Sequence, residues 1–317
     1  MAVYLVTGGA GFIGSNIVEA LVARGADVRV IDNFATGHPE NLDAFKCQVE
    51  FRQLDICDFT ALKEAVRGVD YVLHEAAIPS VPRSVVDPIT SHNADVTGTL
   101  HVLWAAKEAG VKRVVYAASS SAYGDSVELP KHEAMPVNPI SPYGLMKYMG
   151  EEYCRLFTKL YGLETVSLRY FNVFGPRQDP RSQYSGVLSR FITSMLKGKR
   201  PVIFGDGTQS RDFTYVSNVV SANLLACEAP GASGKVYNIA CGQRISLNQV
   251  VDTLNRLLGS NLSACYESPR SGDIKHSLAD VRLSGRELGY APFVNFEEGL
   301  KTTVEWYRGF LTGNPMD

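Results

Sequence analysis

The chain has no excess of charge of either sign. Its 317 residues include 31 Lys and Arg and 33 Asp and Glu, for a formal net charge of -2. Proteins that bind nucleic acid or anionic membranes through their overall charge carry more basic than acidic residues, so we expect neither partner here. Recognition of a ligand must then depend on local groups.

Long apolar runs and clustered cysteines are also missing. No stretch reaches the roughly 18 apolar residues that a membrane helix needs, and the opening MAVYLVTGGAGFIGS lacks the basic segment of a secretory signal. The six cysteines form no CxxC pair and no Cys/His cluster, which is typical of reduced thiols rather than of a disulfide framework or a zinc site. We therefore expect a cytoplasmic protein without a metal centre.

What the sequence does contain is an alternation of short β-branched runs with longer amphipathic stretches. The runs are VYLVT, DVRVID, VEFRQLD, YVLHEAA, KRVVYAAS and ETVSLRY, and each precedes a helix candidate. This alternation predicts an α/β fold, a doubly wound parallel sheet of the Rossmann type with helices on both faces.

After about residue 175 the alternation loosens. Helical stretches are predicted near 187–198, 216–229, 246–258 and 296–310, and the strand KVYNIA fits either part. We predict a Rossmann domain over residues 1–175, to which some later segments return, and a smaller α/β substrate lobe over residues 176–317. Such a lobe would close over the C-terminal edge of the sheet, where ligands of these folds bind.

The glycine-rich segment TGGAGFIGS follows the first predicted strand and precedes the helix candidate NIVEALVARG. Gly8 allows a tight turn, Gly11 lets the backbone approach a pyrophosphate, and Gly14 lets helix and strand pack closely. A glycine triplet alone also suits a structural turn. Here Asp32 ends the next strand, where a carboxylate accepts hydrogen bonds from the ribose of an adenosine, so the sequence predicts a dinucleotide site. NAD is favoured over NADP because an acid repels a 2′-phosphate and the following NFATGHPE offers no Arg or Lys.

The segment SPYGLMK places Tyr143 and Lys147 on one face of a helix, one turn apart. A cation beside a phenol lowers its pKa from about 10 toward the working pH, as a proton acceptor at an alcohol requires. Such a pair is by itself more often a solvated helix face. Upstream, however, Ser119, Ser120 and Ser121 end a predicted strand and could hold the same substrate oxygen. Together with the dinucleotide turn, these residues predict a catalytic site.

The segments TGGAGFIGS, SSSAYG and YGLMK resemble those of the extended short-chain dehydrogenase/reductases, and among them the nucleotide-sugar epimerase/dehydratase branch. Two further segments, at 169–180 (RYFNVFGPRQDP) and 205–216 (GDGTQSRDFTYV), are similar to the nucleotide-sugar clasp of the UDP-hexose 4-epimerases. The likeness covers nearly the whole chain. It implies an isomerase with NAD as cofactor and a UDP-sugar as substrate, working as a homodimer.

The resemblance also implies a role for each catalytic residue. Tyr143 is the base, Lys147 bonds the nicotinamide ribose, and Ser120 or a neighbour, Ser119 or Ser121, holds the sugar 4-hydroxyl. The 4-hydroxyl proton passes to the Tyr143 phenolate and the C4 hydride to NAD; the 4-keto sugar then turns, and the hydride returns to its other face. Tight binding at the UDP end must retain the intermediate while the loosely held hexose rotates.

Contacts with both ligands follow from the same resemblance. Those with the cofactor fall on Gly8, Gly11, Phe12, Ile13, Gly14, Asp32, Asn33, Thr36, Gly37, Asp55, Ile56, Ala76, Ala77, Ile78, Asp95, Tyr143, Lys147, Tyr170 and Val173. Those with the substrate fall on Ser80, Arg83, Ser120, Tyr143, Asn172, Val187, Arg211, Arg270, Asp273 and Ser277. The arginines also suit a diphosphate chemically, because a guanidinium binds phosphate oxygens bidentately, although a single Arg is as often a surface cation.

Ser277 bears on the choice of sugar. By the resemblance it aligns with the wall of the sugar pocket beside the 2-substituent, where epimerases restricted to glucose and galactose carry Tyr and those that accept N-acetylhexosamines carry Cys or Ser. The segment IPSVPRS, with Pro79 and Arg83, matches the subgroup that acts on N-acetylated sugars. We expect UDP-GlcNAc and UDP-GalNAc to interconvert alongside UDP-Glc and UDP-Gal, although a serine here also suits a turn.

Three alternatives share these motifs. A sugar-nucleotide dehydratase or decarboxylase needs a further acid or base, which in the family follows the catalytic hydroxyl residue, whereas Ala122 and Tyr123 follow the serines here. A UDP-glucuronate 4-epimerase would act on a uronic acid instead. A non-catalytic NAD-binding regulatory protein is the remote alternative, and it would be expected to have lost Tyr143 and Lys147.

Four other positions stand out. Glu75 and Asp95 depart from the family pattern, which has an apolar residue or Gln at the first and Asn at the second; the sequence assigns Glu75 no role. His74 is more typical of a packed strand residue than of a catalyst. The apolar stripe around Trp104 has the spacing of a core or dimer helix, and the family pairs such helices with the tyrosine-bearing helix in a four-helix interface.

Overall fold

All six β-branched runs form strands of one sheet. The computed structural model describes residues 2–180, 186–269 and 274–313. The strands are β1 (Val3–Thr7), β2 (Asp27–Asp32), β3 (Glu50–Gln53), β4 (Tyr71–His74), β5 (Arg113–Ser119), β6 (Glu164–Tyr170), β7 (Val173–Phe174), β8 (Val202–Phe204), β9 (Ser210–Arg211), β10 (Thr214–Tyr215), β11 (Lys235–Ile239), β12 (Ile245–Ser246) and β13 (Cys265–Glu267).

Helices connect these strands. They are α1 (Phe12–Ala23), α2 (Phe59–Val66), α3 (Val81–Val86), α4 (Pro88–His92), α5 (Gly98–Ala109), α6 (Pro142–Tyr161), α7 (Val187–Leu196), α8 (Val216–Glu228), α9 (Leu247–Leu258), α10 (Arg282–Leu288) and α11 (Phe296–Thr312). Single 3-10 turns lie at Pro39–Leu42 and Ser120–Tyr123, and a π-helical turn at Asn93–Thr97 joins α4 to α5.

The main sheet has seven strands in the order β11-β6-β5-β4-β1-β2-β3. Every neighbouring pair is parallel, so the predicted doubly wound sheet is confirmed. The strand order reverses between β1 and β4, and in such sheets a crevice opens at this point beyond the carboxyl ends of the strands. The glycine turn, the end of β4 and the serine-rich end of β5 all lie at this edge.

Both faces of the sheet are covered by helices. One face packs Val6, Leu73 and Leu168 of the sheet with Ile17 of α1 and Ala222 of α8. The other face buries alternate residues of the same strands against α2, α5 and α6. Because successive side chains of a strand point to opposite faces, central strands such as β1 (VYLVT) and β4 (YVLH) are mainly apolar, whereas the edge strand β3 (EFRQ) is polar and mostly exposed.

Helix α8 contacts both the sheet and the smaller lobe. The sequence places its segment after residue 175, where some later segments are expected to return to the Rossmann domain. Its residues Val219 and Ala222 share the sheet cluster, while Val216 at its start packs in the lobe. The helix is apolar on most sides and is therefore buried between the two. The other helices of the lobe, α7, α9 and α11, pack around their own cluster, which includes Phe191, Leu254 and Leu300.

Within the described ranges, no helix is both long and apolar enough to cross a membrane. The same residues contain no group of three or more His, Cys, Asp or Glu side chains that could hold a metal ion.

Candidate active site

The glycine turn between β1 and α1 is shaped by close backbone contacts. Gly8 has φ +66, and a Cβ there would lie 2.7 Å from the Ala76 backbone. A Cβ on Gly14 would lie 2.2 Å from the Gly8 carbonyl oxygen, so only glycine lets α1 begin this close to β1. The N-cap, Gly11, provides no side-chain cap, and the first turn has no acidic residue. Its backbone N–H groups, including those of Phe12 and Ile13, can therefore bind an anion.

Asp32 lies at the end of β2, next to this turn. Its Oδ2 accepts a hydrogen bond from the Ala10 N–H at 2.9 Å and its Oδ1 one from the Phe34 N–H at 2.7 Å. Each oxygen retains a second lone pair, and burial raises the pKa of the carboxyl. A Cβ on Gly37 would lie 2.9 Å from Asp32 Oδ2, so the loop after β2, with Thr36 exposed on it, passes directly over the carboxylate.

The ends of β2 and β3 are linked through side chains. Asn33 Nδ2 donates to Asp55 Oδ2 at 2.9 Å, and Asp55 Oδ1 accepts from the Cys57 N–H at 2.8 Å. Ile56 is buried beside them. The structure therefore brings the residues predicted around the adenosine to one rim of the sheet edge.

The segment after β4 is tied to the π-helical turn. The Ala76 N–H donates to Thr7 Oγ1 at 3.2 Å, and the Ile78 N–H donates to Asp95 Oδ1 at 2.7 Å. Ala77 lies between them, partly exposed. Asp95 is 1% exposed, and its Oδ2 has no hydrogen-bond partner among the described residues.

Tyr143 lies in the first turn of α6. The Ser141 side chain caps this helix by accepting from the Gly144 N–H, and Pro142 occupies the first turn, as its fixed φ favours. The Tyr143 side chain lies beside Ser119 at the end of β5, and the Ser119 hydroxyl lowers the pKa of the phenol. Ser119 Oγ also bonds Ser121 Oγ at 3.1 Å. No described contact joins Ser120 to Tyr143.

Lys147 lies one turn further along α6, as predicted. It is 4% exposed, and its Nζ donates to the Ala117 carbonyl at 2.9 Å while lying 5.2 Å from the centre of the Tyr116 ring. Burial lowers the pKa of Lys147, and the nearby carboxylates of Asp95 and Glu75 oppose that shift.

The sequence predicts that Lys147 lowers the pKa of Tyr143, but the structure shows a raised pKa. The pKa of Tyr143 is raised, first by burial and then by the carboxylate of Asp95, with a smaller effect of Glu75 in the same direction; the Ser119 hydroxyl opposes them. The predicted helical spacing of Tyr143 and Lys147 is confirmed. The spacing could not indicate that Glu75, after β4, and Asp95, in the π-helical turn, also act on the phenol.

His74 is a packed strand residue, as the sequence suggested. It is 1% exposed, and its ring nitrogens lie 2.7 Å from Thr7 Oγ1 and 3.0 Å from Thr99 Oγ1. Burial, assisted by the charge of Lys147, lowers its pKa to about 3, so the ring is neutral.

The substrate side is built from several short segments. Asn172, with φ 36, donates from Nδ2 to the Asp212 carbonyl at 3.1 Å. Arg211 Nη1 donates to the Ser210 carbonyl at 3.0 Å, and the Ser277 N–H donates to the same carbonyl at 3.0 Å. Arg211 and Ser277 are thus adjacent, and both are partly exposed.

The other predicted cofactor and substrate residues are spread along the cleft. Val187 begins α7, Val173 begins β7, and Ser80 caps α3 by accepting from the Arg83 N–H at 3.1 Å. The Tyr170 hydroxyl is committed to protein partners rather than free for the cofactor. The predicted residues Arg270 and Asp273 lie outside the described residues.

Two residues that contact this site were not predicted from the sequence. Ser84 in α3 is fully buried and accepts a hydrogen bond from the Tyr143 N–H at 3.0 Å. Asp212, also fully buried, accepts from the backbone N–H groups of Cys241, Gly242 and Ala279 at 3.0–3.1 Å. Asp212 follows Arg211 directly, but nothing in its local sequence indicates that it binds two distant segments, at Cys241–Gly242 and at Ala279.

These features define a dinucleotide-dependent enzyme with a tyrosine–lysine centre: a parallel sheet, an uncapped helix N-terminus behind a glycine turn, an acid on β2 and a partly exposed Tyr143 near a buried Lys147. The NAD dependent epimerase/dehydratase family matches residues 4–240, and the chain belongs to this family. NAD is its cofactor, and the glycine turn and Asp32 fit it.

Relatives agree over nearly the whole chain. The UDP-glucose 4-epimerase of Mycolicibacterium smegmatis is 37% identical over 96% of this chain and 98% of its own length. The UDP-glucuronate 4-epimerase of Thermodesulfobacterium geofontis is 35% identical over 96% of each. The solved UDP-N-acetylglucosamine 4-epimerase of Methanobrevibacter ruminantium, in complex with UDP-N-acetylmuramic acid, is 39% identical with a TM-score of 0.93 and covers 98% of this chain and 99% of its own.

Proposed function

We propose that the protein inverts C4 of UDP-hexoses through a 4-keto sugar. The observation that carries this proposal is the placement of Tyr143 beside Ser119 at the sheet edge, one helical turn from Lys147, whose Nζ is held by the Ala117 carbonyl. The 4-epimerases among the relatives support it. Bound NAD supplies a reversible hydride acceptor, so the cycle has no net redox change.

Tyr143 is the group that moves the proton. In the first half of the cycle its phenolate oxygen accepts the proton of the sugar 4-hydroxyl, and in the second half it returns that proton to the opposite epimer. Lys147, whose Nζ is held by the Ala117 carbonyl, supplies the positive charge that opposes the effect of the Asp95 and Glu75 carboxylates on the phenolate.

Ser119 holds the sugar 4-hydroxyl in this proposal. The sequence resemblance favoured Ser120 and left Ser119 and Ser121 open. Ser119 ends β5 in an extended conformation, whereas Ser120 begins the 3-10 turn. The effect of Ser119 on the pKa of Tyr143 supports Ser119 as the partner of the phenol.

The pocket accepts acetamido sugars as well as plain hexoses. Ser277 is held beside Arg211 by the Ser210 carbonyl. The next residue, Leu278, accepts from the Lys131 N–H at 2.7 Å, and this contact ties the Ser277 segment to the loop that follows the serines. A small side chain here leaves room for a 2-acetamido group, which a larger one would exclude.

Uronic acid substrates are the second candidate, favoured by the relative from Thermodesulfobacterium.

Purified protein without added NAD should be incubated separately with UDP-Glc, UDP-GlcNAc and UDP-glucuronate, and the products identified by NMR. We expect C4 epimers of the first two and no NADH release. Epimerisation of UDP-glucuronate alone would favour the second candidate, and a 4-keto-6-deoxy sugar or carbon dioxide would overturn epimerisation.

We also propose that the chain forms a homodimer through α5 and α6. An apolar cavity lies between them and α2, lined by Phe59, Leu100, Trp104, Tyr153, Leu160 and Tyr161. Leu160 is 63% exposed and Tyr161 45%, and burial of such side chains favours association. Sedimentation of the protein and of Leu160→Glu should give a dimer and a monomer; a monomer for both would refute the interface.

A further inference from the structure

Glu75 lies between the dinucleotide turn and the catalytic centre. It follows β4 directly, and its N–H donates to the Thr7 carbonyl at 3.2 Å. A Cβ on Gly8 would come within 3.1 Å of the Glu75 carbonyl carbon. The side chain is therefore held at the carboxyl edge of the sheet, where the reaction proposed above takes place.

The orientation of the Glu75 carboxyl is fixed by a polar chain from the opposite side of the sheet. Asn223 Nδ2, on α8, donates to the Tyr170 hydroxyl oxygen at 2.7 Å, and the Tyr170 hydroxyl donates to Glu75 Oε1 at 2.8 Å. Since Asn223 already occupies the Tyr170 oxygen as a donor, the single Tyr170 proton points to Glu75. A glutamate here is thus an integrated part of the site rather than a solvated surface acid.

The charges near Tyr143 are not balanced when Glu75 is ionised. β4 pairs with β5 through His74 and Tyr116, so Glu75, the next residue, lies beside Ala117, whose carbonyl holds Lys147 Nζ. Asp95 is held at the same edge by the Ile78 N–H. Two carboxylates, Asp95 and Glu75, and one ammonium group, Lys147, therefore act on the site. Both carboxylates oppose formation of a phenolate on Tyr143. A phenolate on the partly exposed Tyr143 would then be a third anion beside a single cation, which like-charge repulsion makes unfavourable.

We propose that Glu75 works in its protonated, neutral form, and that its ionisation suppresses the ionisation of Tyr143. Glu75 is a positioning residue in this proposal, acting on the reaction through Tyr143. The inference rests on the proposed function, in which Tyr143 is the base. No bond to substrate is formed; the proton that Glu75 holds exchanges with solvent.

The titration of Glu75 falls in the range where this matters. Burial raises its pKa to about 7, with the Tyr170 hydrogen bond and the charge of Lys147 acting in the opposite direction. His74 on the same strand is neutral at this pH, and Tyr116 and Tyr170 both have pKa values raised by burial. The charged groups that face Glu75 and Tyr143 are accordingly Lys147 and Asp95.

The test compares Glu75→Gln with the unsubstituted protein over a range of pH. Glutamine keeps the shape and an oxygen acceptor for Tyr170 but is always neutral. Below about pH 7 both proteins are neutral at this position, so the ratio of their kcat/KM values for UDP-Glc should be close to one. As pH rises, Glu75 ionises and the ratio should increase in favour of the variant, on the order of tenfold. The control Glu64→Gln, an exposed glutamate paired with Arg67, should give a ratio that does not change with pH.

A second variant changes the pH at which Glu75 ionises. In Tyr170→Phe the donor to the carboxylate is lost, and since that donor lowers the pKa of Glu75, the pKa should rise. Glu75→Gln should be compared with its parent again in the Tyr170→Phe background. The pH at which their kcat/KM ratio departs from one should then be higher.

A readout without turnover separates this inference from the epimerase proposal. The ultraviolet absorption of tyrosinate, referenced to Tyr143→Phe, should show Tyr143 ionising at lower pH in Glu75→Gln than in the unsubstituted protein. This holds whether or not a UDP-hexose is epimerised. A kcat/KM ratio that is flat with pH, a ratio that falls as pH rises, or an unchanged tyrosinate titration would each overturn the proposal.

Discussion

The hydroxyl of Ser84 accepts a hydrogen bond from the backbone N–H of Tyr143 at 3.0 Å. This N–H belongs to the first turn of α6, where backbone donors have no partner within the helix. Ser84 Oγ in turn donates to the Val81 carbonyl at 2.8 Å. The short helix α3, which begins just after the segment that follows β4, therefore fixes the position of Tyr143, the proposed base.

We expect Ser84→Ala to lower kcat more than it alters substrate binding. Loss of the acceptor leaves a buried N–H unpaired, at a cost of about 1–3 kcal/mol, and a small shift of Tyr143 reduces kcat by roughly 10- to 100-fold. Steady-state kinetics with UDP-Glc and thermal unfolding would measure both effects. Ser91→Ala is the matched control, since Ser91 is equally buried but bonds only within α4; an equal loss of kcat in the control would contradict the role of Ser84.

The serine cluster yields a second prediction. Because Ser119 contacts Tyr143 and Ser120 does not, Ser119→Ala should reduce kcat by about 100-fold, while Ser120→Ala should change it by less than about threefold. Single-turnover transfer of the C4 hydride, followed as NADH absorbance, would measure the oxidation step directly. The opposite order of effects would assign the sugar 4-hydroxyl to Ser120.

Sugar choice is tested at Ser277. Tyrosine at this position should fill the space beside the 2-substituent, so Ser277→Tyr should abolish turnover of UDP-GlcNAc while sparing UDP-Glc. Ser277→Ala, which stays small, should retain both activities. Equal loss of both substrates in the tyrosine variant would show that the side chain does not wall the acetamido pocket.

Asp212 yields a prediction for stability. Asp212→Asn replaces one carboxylate oxygen by an NH2 group facing backbone donors, so it should destabilise the fold by about 1–3 kcal/mol and raise KM for the UDP-sugar by displacing Ala279, two residues from Ser277. The exposed Asp252→Asn should change neither quantity.

The pH dependence of this effect has a definite sign. Burial raises the pKa of Asp212 to about 6, above its ordinary value of 3.8, so the folded state binds the proton more tightly than the unfolded state. The contribution of Asp212 to the unfolding free energy is therefore largest below pH 4, falls as pH rises to about 6, by at most ~1.4 kcal/mol per pH unit, and is constant above that. Urea unfolding across this range should show the difference between the protein and Asp212→Asn falling in the same way. A difference that rises with pH would mean that the three N–H groups outweigh burial.

The sheet and the placement of Tyr143 and Lys147 one turn apart on α6 could be predicted because their signals are local. β-branched runs, a glycine turn and a Tyr-x-x-x-Lys spacing each lie within a few residues, and the structure confirms the strands and helix that they predict. The raised pKa of Tyr143 could not be predicted, because it depends on Asp95 and Glu75, which reach the phenol only through tertiary packing. The hydrogen bonds of Asp212 and Ser84 could not be predicted for the same reason, since the partners of Asp212 lie 29–67 positions away and that of Ser84 lies 59 positions away.

The later part of the chain supplies one edge strand of the main sheet and a helix that covers one of its faces. Strand β11 pairs with β6, and α8 covers the face that also carries α1. A fragment ending near residue 175 would expose the edge of β6 and a wide apolar surface, and it should aggregate. The two parts therefore unfold as one cooperative unit, and a UDP-sugar bound by the lobe should protect the glycine turn from proteolysis.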